Sequence, residues 1–369
     1  MGGLQMLYKQ YGNSGIEVSA IGMGCMRFED RDILENKIDK YVNLILYAHE
    51  NGINYFDTAP FYCHDKSEII TGMALSQLPR DSYYVTSKTN LETLRNDCTV
   101  DGFRRRLDMS LKRLRVDYID FYHLWCMLDI NSFNVNCEKL YAFFEEAKAE
   151  GLIRHIVMSS HMQGDDLSYA VNTKLFEGIA IGYNALNYRY RKSGIRAAYD
   201  TGMGISVMNP LGGGIIVENP EIFKFLTKDT DYNVAQGGIR FVTSHKEISV
   251  TMIGFTTKKQ VNEAVKAVKN LELKPMEEIC EEYQNKGITL NNLCTGCGYC
   301  DQCPQNIDIP KFMDAYNEKL LGRSIVKRLR RHWHLSAKAA VGCIKCGKCE
   351  KLCTQHLPIM ERIKEIASL

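Results

Sequence analysis

The sequence predicts an α/β protein in which a (β/α)8 barrel, residues 1–275, precedes a small, mostly α-helical domain, residues 276–369. Three observations support this division. Eight short apolar runs alternate with longer amphipathic runs before Pro275. Eight strands alternating with helices over about 250 residues is the count of such a barrel. After Pro275 the alternation stops, and cysteines become frequent.

The eight candidate strands are rich in Val, Ile and Tyr and are mostly continuous rather than alternating in polarity. Continuous apolar strands are typical of a parallel sheet that is buried on both faces. In chain order they are VSAIGMGCM, INYFDTA, YYVTSKT, YIDFYHLW, IRHIVMSS, IAIGYNAL, ISVMNPLG and ISVTMIGF. A doubly wound sheet is the alternative, but it favours a glycine-rich phosphate turn after the first strand. Gly22 and Gly24 are not followed by a third glycine in register.

Amphipathic patterns between these runs predict the helices of the barrel. The clearest are DKYVNLILYAHENG, VDGFRRRLDMSLKRLR, NCEKLYAFFEEAKAEG and KQVNEAVKAVKN. We expect Gly52, Gly151 and Gly178 to end helices. Beyond Pro275 the patterns predict a linking helix over 276–293, helical structure over 308–341 and a final helix in PIMERIKEIASL.

Eight of the fourteen cysteines form two runs near the C-terminus: Cys294, Cys297, Cys300, Cys303 and Cys343, Cys346, Cys349, Cys353. Three thiolates at three-residue spacing can converge on one [4Fe-4S] cluster, and the fourth can cross to a second cluster. The runs therefore predict a ferredoxin-like iron–sulfur domain with two [4Fe-4S] clusters. In the first run only two residues separate Cys300 from Cys303, whereas three are usual before the fourth cysteine. In the second run Thr354 follows the last cysteine, where a proline is usual.

Zinc and disulfides are the alternatives for these cysteines. Zinc usually takes two Cys pairs, or Cys with His, in a tetrahedral site. Disulfides would require an oxidising compartment. The six remaining cysteines are scattered, and we expect them to be reduced.

Composition and charge exclude other classes of protein. The net charge of +2 gives no global indication of nucleic-acid or membrane binding. No apolar stretch of about 20 residues is present, and the N-terminus lacks a signal-peptide pattern. We expect a cytoplasmic protein, from an anaerobe because exposed clusters tolerate oxygen badly.

Polar residues follow the predicted strands where a barrel places its chemistry, at the C-terminal strand ends. Asp57 ends the second strand, Tyr62 follows five residues later, and Lys88 lies at the end of the third. A lysine ammonium beside a phenol stabilises the phenolate and lowers the tyrosine pKa from about 10. The phenol then becomes a better proton donor to a carbonyl oxygen. A buried lysine needs a carboxylate partner, which Asp57 could supply.

Residues 8–275 resemble the aldo-keto reductases, and the whole chain resembles the subgroup with a C-terminal 4Fe-4S ferredoxin-type domain. The stretches that carry the resemblance are NYFDTAPFY, VTSKTN, SLKRLRVDYIDFYHLW, EGLIRHIVMSS, YNALN, MNPLGGG and IRFVTSHKEISVTMIGFTT. The resemblance implies a (β/α)8 barrel that interconverts small carbonyl and alcohol substrates with NADP(H). It also implies a catalytic Asp, Tyr, Lys and His, of which Asp57, Tyr62 and Lys88 match the first three.

The fourth catalytic residue of the family has no direct match. Aligning the family motif on Asp117 and Asp120 puts Trp125 at the histidine position, and His123 lies two residues earlier. Because strand side chains alternate, His123 faces the same side as Trp125, about 6–7 Å deeper. It is either a core histidine or a displaced catalytic residue. Trp125 would narrow the pocket and donate one hydrogen bond, but it cannot carry a proton.

The resemblance also implies a set of nicotinamide-binding positions, several of which carry unusual residues here. Ser159 matches the family serine, whereas Ser160 and Met208 replace an asparagine and a tyrosine. Lys258 and Lys259 lie close to the family's phosphate-binding positions, and the loop after the seventh strand is glycine-rich. The expected cofactor-binding residues are Ser159, Ser160, Met208, Pro210, Leu211, Gly212, Gly213, Thr256, Lys258 and Lys259.

These features favour an iron–sulfur oxidoreductase in which Tyr62 is the general acid/base. One alternative is an electron-transfer or scaffold subunit whose barrel no longer uses nicotinamide. Another is a non-redox isomerase or lyase with Tyr62 as its base. The basic segment GRSIVKRLRRHWH, residues 322–334, is either a solvated helix face or a docking patch for an acidic ferredoxin or flavodoxin.

Overall fold

A closed barrel of eight parallel strands forms the main body of the computed structural model, which describes residues 6–94, 97–228, 230–284 and 292–369. The strands are β1 Tyr8–Gln10, β2 Glu17–Ser19, β3 Ile21–Gly24, β4 Tyr55–Asp57, β5 Tyr84–Thr89, β6 Ile119–Met127, β7 Ile153–Ser160, β8 Gly178–Gly182, β9 Gly204–Met208 and β10 Val250–Ile253. The spatial order of the barrel strands is β10-β3-β4-β5-β6-β7-β8-β9. A short antiparallel pair, β1 and β2, precedes the barrel in the chain.

Helices connect the strands and build the C-terminal region. Those of the first 284 residues are α1 Asp30–Leu34, α2 Asp39–Glu50, α3 Tyr62–Asp65, α4 Ser67–Leu75, α5 Val100–Leu114, α6 Ile130–Ala149, α7 Gly164–Asn172, α8 Tyr188–Asp200, α9 Ile215–Glu218, α10 Pro220–Phe223, α11 Val234–Thr243, α12 Lys258–Val268 and α13 Met276–Gln284. The C-terminal helices are α14 Ile309–Leu320, α15 Ile325–Arg328, α16 Lys348–Lys351 and α17 Ile359–Ala367, with a π-helical turn at Leu329–Trp333.

The predicted barrel is confirmed, and the doubly wound alternative is wrong because the sheet closes on itself. Each of the eight predicted strands overlaps one strand of the barrel. Gly52 and Gly151 follow α2 and α6 with φ of 88° and 78°, a conformation that favours glycine. The expectation for Gly178 is wrong, because α7 ends at Asn172 and Gly178 begins β8. An added Cβ at Gly178 would lie 2.5 Å from the Tyr11 hydroxyl oxygen, so packing requires glycine there.

Tyr11, between β1 and β2, packs inside the N-terminal end of the barrel. It belongs to a buried cluster with Tyr55, Phe121 and Val250, whose side chains come from strands on different sides of the barrel. The ring centroids of Tyr11 and Phe121 lie 4.4 Å apart. This end of the barrel is therefore filled by side chains, which leaves the C-terminal strand ends for a functional site.

The chain forms two compact units. The first comprises Met1–Leu211 and Pro220–Gly287, and the second Gly212–Asn219 and Ile288–Leu369. Helix α13, predicted as a linker, belongs to the barrel unit: the backbone N–H of Met276 donates to the buried carboxylate of Glu247, and the rings of Tyr283 and Phe241 lie 5.0 Å apart. The segment Gly212–Asn219 groups with the C-terminal unit, an assignment that sequence order does not predict.

The second unit has its own apolar core, to which α14 and α17 contribute Phe312, Met313, Ile359 and Ile363. Cysteines of both runs pack against this core. Within the described residues, no helix is both long and apolar enough to cross a membrane.

Candidate functional site

A buried ion pair lies at the C-terminal ends of β4 and β5. Lys88 Nζ donates to Asp57 Oδ1 at 2.7 Å and to the Thr58 carbonyl oxygen at 2.7 Å. The Thr86 hydroxyl also donates to Asp57 Oδ1, at 2.7 Å. Lys88 is only 3% exposed, so the carboxylate compensates a charge that water cannot solvate. The structure thus brings Asp57 and Lys88 together as the sequence predicts.

Tyr62 begins a short turn in an unusual backbone conformation. Phe61, Cys63, His64 and Asp65 have φ between 53° and 68°, the left-handed region that non-glycine residues disfavour. Each such residue costs on the order of 1 kcal/mol, so the surrounding structure must hold the turn. The Arg113 guanidinium donates to both carboxylate oxygens of Asp65, at 2.8 and 2.7 Å.

The Tyr62 ring lies between Lys88 and Trp125. Lys88 Nζ is 5.3 Å from the Tyr62 ring centroid, and the ring centroids of Tyr62 and Trp125 lie 5.6 Å apart with an interplanar angle of 84°. The register of β6 against β7 shifts between Leu124 and Met127. Such a bulge changes the direction of side chains at a strand end. Trp125, at the family's histidine position, therefore forms one wall beside the tyrosine.

His123 pairs in register with Lys88 on the neighbouring strand, so both side chains face the barrel interior. It is fully buried, and neither ring nitrogen has a hydrogen-bond partner among the residues that the structure describes. Burial, and then the positive charge of Lys88, hold the pKa of His123 well below its usual range. The imidazole is therefore neutral, and Asp57 alone among these groups balances the charge of Lys88.

The expected nicotinamide positions lie around the ends of β7, β8 and β9. Ser159 pairs with Ala180, and Met208 pairs with Gly182. Gly182 is buried, yet an added Cβ there would meet no atom within 4 Å, so this part of the strand ends is not filled by side chains. Ser160 follows Ser159 and faces the opposite side of the sheet, where its hydroxyl accepts the backbone N–H of Met162 at 3.1 Å.

The N-terminus of α12 carries the expected phosphate-binding residues. Thr257 caps the helix, and the Gln260 side-chain oxygen accepts the backbone N–H groups of Thr256 and Thr257 at 2.7 and 3.2 Å. Lys258 Nζ lies 4.6 Å from the Tyr47 ring centroid. The Lys259 side chain is 84% exposed, and its Nζ lies 3.9 Å from Glu263 Oε1. Two ammonium groups at a helix N-terminus favour an anionic ligand there.

The glycine run after β9 has a structural reason of its own. Gly212, Gly213 and Gly214 all have positive φ, and a Cβ on Gly213 would lie 1.9 Å from the carbonyl oxygen of Thr295. The backbone of Gly213 thus approaches Thr295 closely within the second unit, and the assignment of Gly212 and Gly213 to a pyrophosphate stays a prediction. Pro210 and Leu211, which belong to the first unit, keep their assignment as a prediction.

Cys353, the last cysteine of the second run, lies close to the first run, and both Cys300 and Cys353 belong to the apolar core of this unit. Burial, and then the thiols of Cys297, Cys294 and Cys353, raise the pKa of Cys300. Burial raises the pKa of Cys349 to about 11, and Cys343 contributes to the rise. The Thr354 hydroxyl lies 3.3 Å from Cys297 Sγ, at the position where proline was expected.

None of the fourteen cysteines, all of which lie in described residues, forms a disulfide in this structure. Among the described residues, no three His, Cys, Asp or Glu side chains converge tightly enough for a single metal ion. The donor set suits iron–sulfur clusters, because thiolates are their usual ligands and the fourth cysteine of one run lies beside three of the other.

Sequence reasoning missed two residues of the site. Thr86 lies two positions before Lys88 on one strand, so strand alternation could have placed its hydroxyl beside the ion pair. Arg113 lies 48 residues from Asp65 in the chain, and no local pattern links the two.

Comparison with known proteins agrees with this geometry. The family model described as "Aldo/keto reductase family" matches residues 20–281, and the model described as "4Fe-4S dicluster domain" matches residues 293–358. An L-galactose dehydrogenase from Arabidopsis thaliana is 26% identical over 290 residues, which cover 72% of this chain and 89% of that protein. An NADH-specific methylglyoxal reductase from Escherichia coli is 27% identical, over 56% of this chain and 67% of that protein.

Solved structures show the same fold. An aldo-keto reductase from Bacillus halodurans in its holo form has a TM-score of 0.63 and 24% identity, covering 77% of this chain and 97% of that one. An aldo-keto reductase from Klebsiella pneumoniae in complex with NADPH has a TM-score of 0.60 and 19% identity, covering 75% and 96%. The chain belongs to the aldo/keto reductase family of oxidoreductases and carries a 4Fe-4S dicluster domain after its barrel.

Proposed function

We propose that the protein interconverts a small carbonyl compound and its alcohol, with Tyr62 as the general acid/base and NADP(H) as the hydride carrier. The observation that carries the proposal is the position of the Lys88 ammonium, which lies 2.7 Å from Asp57 and 5.3 Å from the centre of the Tyr62 ring. A buried cation beside a phenol favours the phenolate form, so the phenol gives up its proton readily.

In the reducing direction, the Tyr62 hydroxyl donates a proton to the carbonyl oxygen as the carbonyl carbon receives a hydride. Lys88 stabilises the phenolate that remains, and Asp57 keeps the ammonium in place. In the oxidising direction the phenolate accepts the alcohol proton. A positioned acid of this kind contributes about 10²–10⁴-fold to the rate.

NADP(H), when bound, supplies or accepts the hydride. In our proposal Ser159 and Met208 contact the nicotinamide ring beside the open space at Gly182, and Thr256, Lys258 and Lys259 contact the phosphates at the start of α12. The ammonium of Lys259 is exposed and lies 3.9 Å from Glu263 Oε1, a weak pairing that a phosphate can replace, so it favours a nucleotide with an additional phosphate. The relative from E. coli is named as NADH-specific, so both nucleotides belong in the test.

Trp125 takes the histidine's place as a wall of the pocket. Its indole N–H can donate one hydrogen bond, but it cannot exchange a proton, so Tyr62 alone carries the proton. The indole also packs edge-on against the ring of Tyr62, which is only partly exposed.

We propose that the C-terminal unit holds two [4Fe-4S] clusters, one by Cys294, Cys297, Cys300 and Cys353, and the other by Cys343, Cys346, Cys349 and Cys303. These clusters would store single electrons. Reduced cysteines without disulfides support a cytoplasmic location, and oxygen-sensitive clusters support an anaerobic source.

The test uses protein purified under anaerobic conditions. Titration with NADPH and with NADH, followed by fluorescence quenching, measures nucleotide binding, and a panel of aldehydes and ketones then measures turnover. We expect Tyr62→Phe to lower kcat about 10²–10⁴-fold with unchanged nucleotide affinity. Tyr199→Phe, at an exposed position of α8, should match the wild type. Full turnover by Tyr62→Phe, or no binding of either nucleotide, would refute the proposal.

A further inference from the structure

Positive charge is concentrated in one segment of the C-terminal unit. Residues 323–351 contain nine Lys or Arg residues and one acidic residue, Glu350, which gives a net charge of +8. The whole chain has a net charge of only +2, so the rest of the chain is net negative. Such a field attracts an anionic partner to one region of the protein.

The lysines around the second cysteine run are exposed to solvent. Lys338, Lys345, Lys348 and Lys351 are exposed, and no carboxylate of a described residue lies within 4.0 Å of their ammonium groups. The carboxylate of Glu350, the acidic residue of this segment, is engaged with the backbone instead: its Oε1 accepts the N–H of Met360 at 2.8 Å. By contrast, Arg323 and Arg328 are paired with Glu318 and Asp314.

Two apolar side chains lie among these lysines. Val341 is 66% exposed and Ile344 is 59% exposed, although both are aliphatic and the unit has a core in which to bury them. Protein–protein interfaces commonly have an apolar centre with a polar or charged rim. We call Lys338, Val341, Ile344, Lys345, Lys348 and Lys351 the second-run surface.

An expected iron ligand, Cys346, lies in the chain between Lys345 and Lys348 of the second-run surface. Cys346 is exposed, whereas Cys300 and Cys353 are buried. The first run, residues 294–306, contains no Lys or Arg and one acidic residue, Asp301. Charge, apolar exposure and ligand exposure thus coincide at the second run and not at the first.

We propose that the second-run surface docks an acidic one-electron carrier protein of the ferredoxin class. This inference rests on the part of the proposed function that places [4Fe-4S] clusters in this unit. One electron passes from the reduced carrier to the protein, the carrier is oxidised by one electron, and no bond or proton is transferred. The lysines steer and orient the acidic carrier, and Val341 and Ile344 form the centre of the contact.

The experiment measures binding of an acidic bacterial two-cluster ferredoxin to the iron-loaded protein by anaerobic calorimetry. Screening shortens the Debye length from about 30 Å at 0.01 M salt to about 8 Å at 0.15 M. We therefore expect the Kd to rise at least about tenfold over this range. The triple variant Lys338→Glu, Lys345→Glu and Lys348→Glu should raise the Kd at low salt by at least about tenfold.

The matched control reverses three exposed lysines of the barrel unit, Lys112, Lys139 and Lys174, and should leave the Kd within about twofold. The double variant Val341→Ser and Ile344→Ser should weaken binding while preserving its salt dependence. Iron content and visible absorbance verify that each variant keeps its clusters. The Lys→Gln triple variant gives a milder change if the reversal lowers the iron content.

Equal Kd values for the triple variant of the second-run surface and the triple variant of the barrel lysines would overturn the docking proposal. So would tighter binding of a thymidine oligonucleotide than of the ferredoxin, because it would identify the surface as a nucleic-acid site. Protein purified without iron would instead refute the proposed clusters. Nucleotide binding and turnover at Tyr62 are measured separately, so failure of either proposal is recognised by itself.

Discussion

Breaking the buried ion pair of Asp57 and Lys88 should destabilise the barrel strongly, and in a coupled way. Lys88→Met removes the ammonium that pairs with the Asp57 carboxylate, which is only 7% exposed. Asp57→Asn removes the negative charge beside the Lys88 ammonium, which still donates to the Thr58 carbonyl oxygen. Each single change should cost about 3–5 kcal/mol, because an uncompensated charge stays buried. The double variant removes both charges, so it should cost less than the sum by about 1–3 kcal/mol.

The assay is anaerobic urea unfolding of wild type, both single variants and the double variant, with the transition of the barrel followed by tryptophan fluorescence. The control is the exposed pair of Arg31 and Glu35, 2.9 Å apart, whose coupling should stay below about 0.5 kcal/mol. A coupling between Asp57 and Lys88 as small as that of the control pair would refute the assignment of a buried, mutually dependent pair.

Three further predictions concern other parts of the molecule. Gly213→Ala should destabilise the C-terminal unit by at least about 2 kcal/mol more than Gly296→Ala, which thermal melting measures. Both glycines have φ above 60°, but only the Cβ added at position 213 would meet a backbone atom, the Thr295 carbonyl oxygen at 1.9 Å. His123 takes up a proton when the protein unfolds in acid. Lowering the pH from about 7.5 to 5.5 should therefore reduce the free energy of unfolding of the wild type by about 1.4 kcal/mol through this residue. Unfolding measurements on His123→Gln should not show this loss. Cys353→Ser should lower bound iron by up to about half in iron analysis, whereas Cys137→Ser should lose none.

The sign of the His123 effect follows from its pKa, which lies below its ordinary value of about 6.5 in the folded protein. Below that value the unfolded chain binds a proton and the folded one does not, so stability falls with acid. An unchanged pH dependence in His123→Gln would show that the histidine is solvated rather than buried.

The sequence was sufficient for features that depend on local pattern. Buried parallel strands are continuous apolar runs, so the barrel strands were recognisable, and Asp57 and Lys88 were placed by their positions at strand ends. The cysteine spacing likewise predicted a cluster domain, and the family models match it.

Features that depend on distant segments were not predictable in this way. Tyr11 fills the end of the barrel beside Gly178 and Gly204, more than 160 residues later in the chain. The close approach of Gly213 to Thr295 also joins segments that are distant in the chain, so the sequence does not predict it. Side-chain periodicity says which face a residue occupies, but not which remote residue meets it.

The most direct test of the central claim is the single-turnover rate of carbonyl reduction with nucleotide already bound, compared between wild type and Tyr62→Phe. This rate isolates the chemical step from binding and product release. If the Tyr62 phenol beside Lys88 delivers the proton, the variant should be slower by about 10²–10⁴-fold. Equal single-turnover rates would show that another group supplies the proton, and would contradict the account of the barrel site.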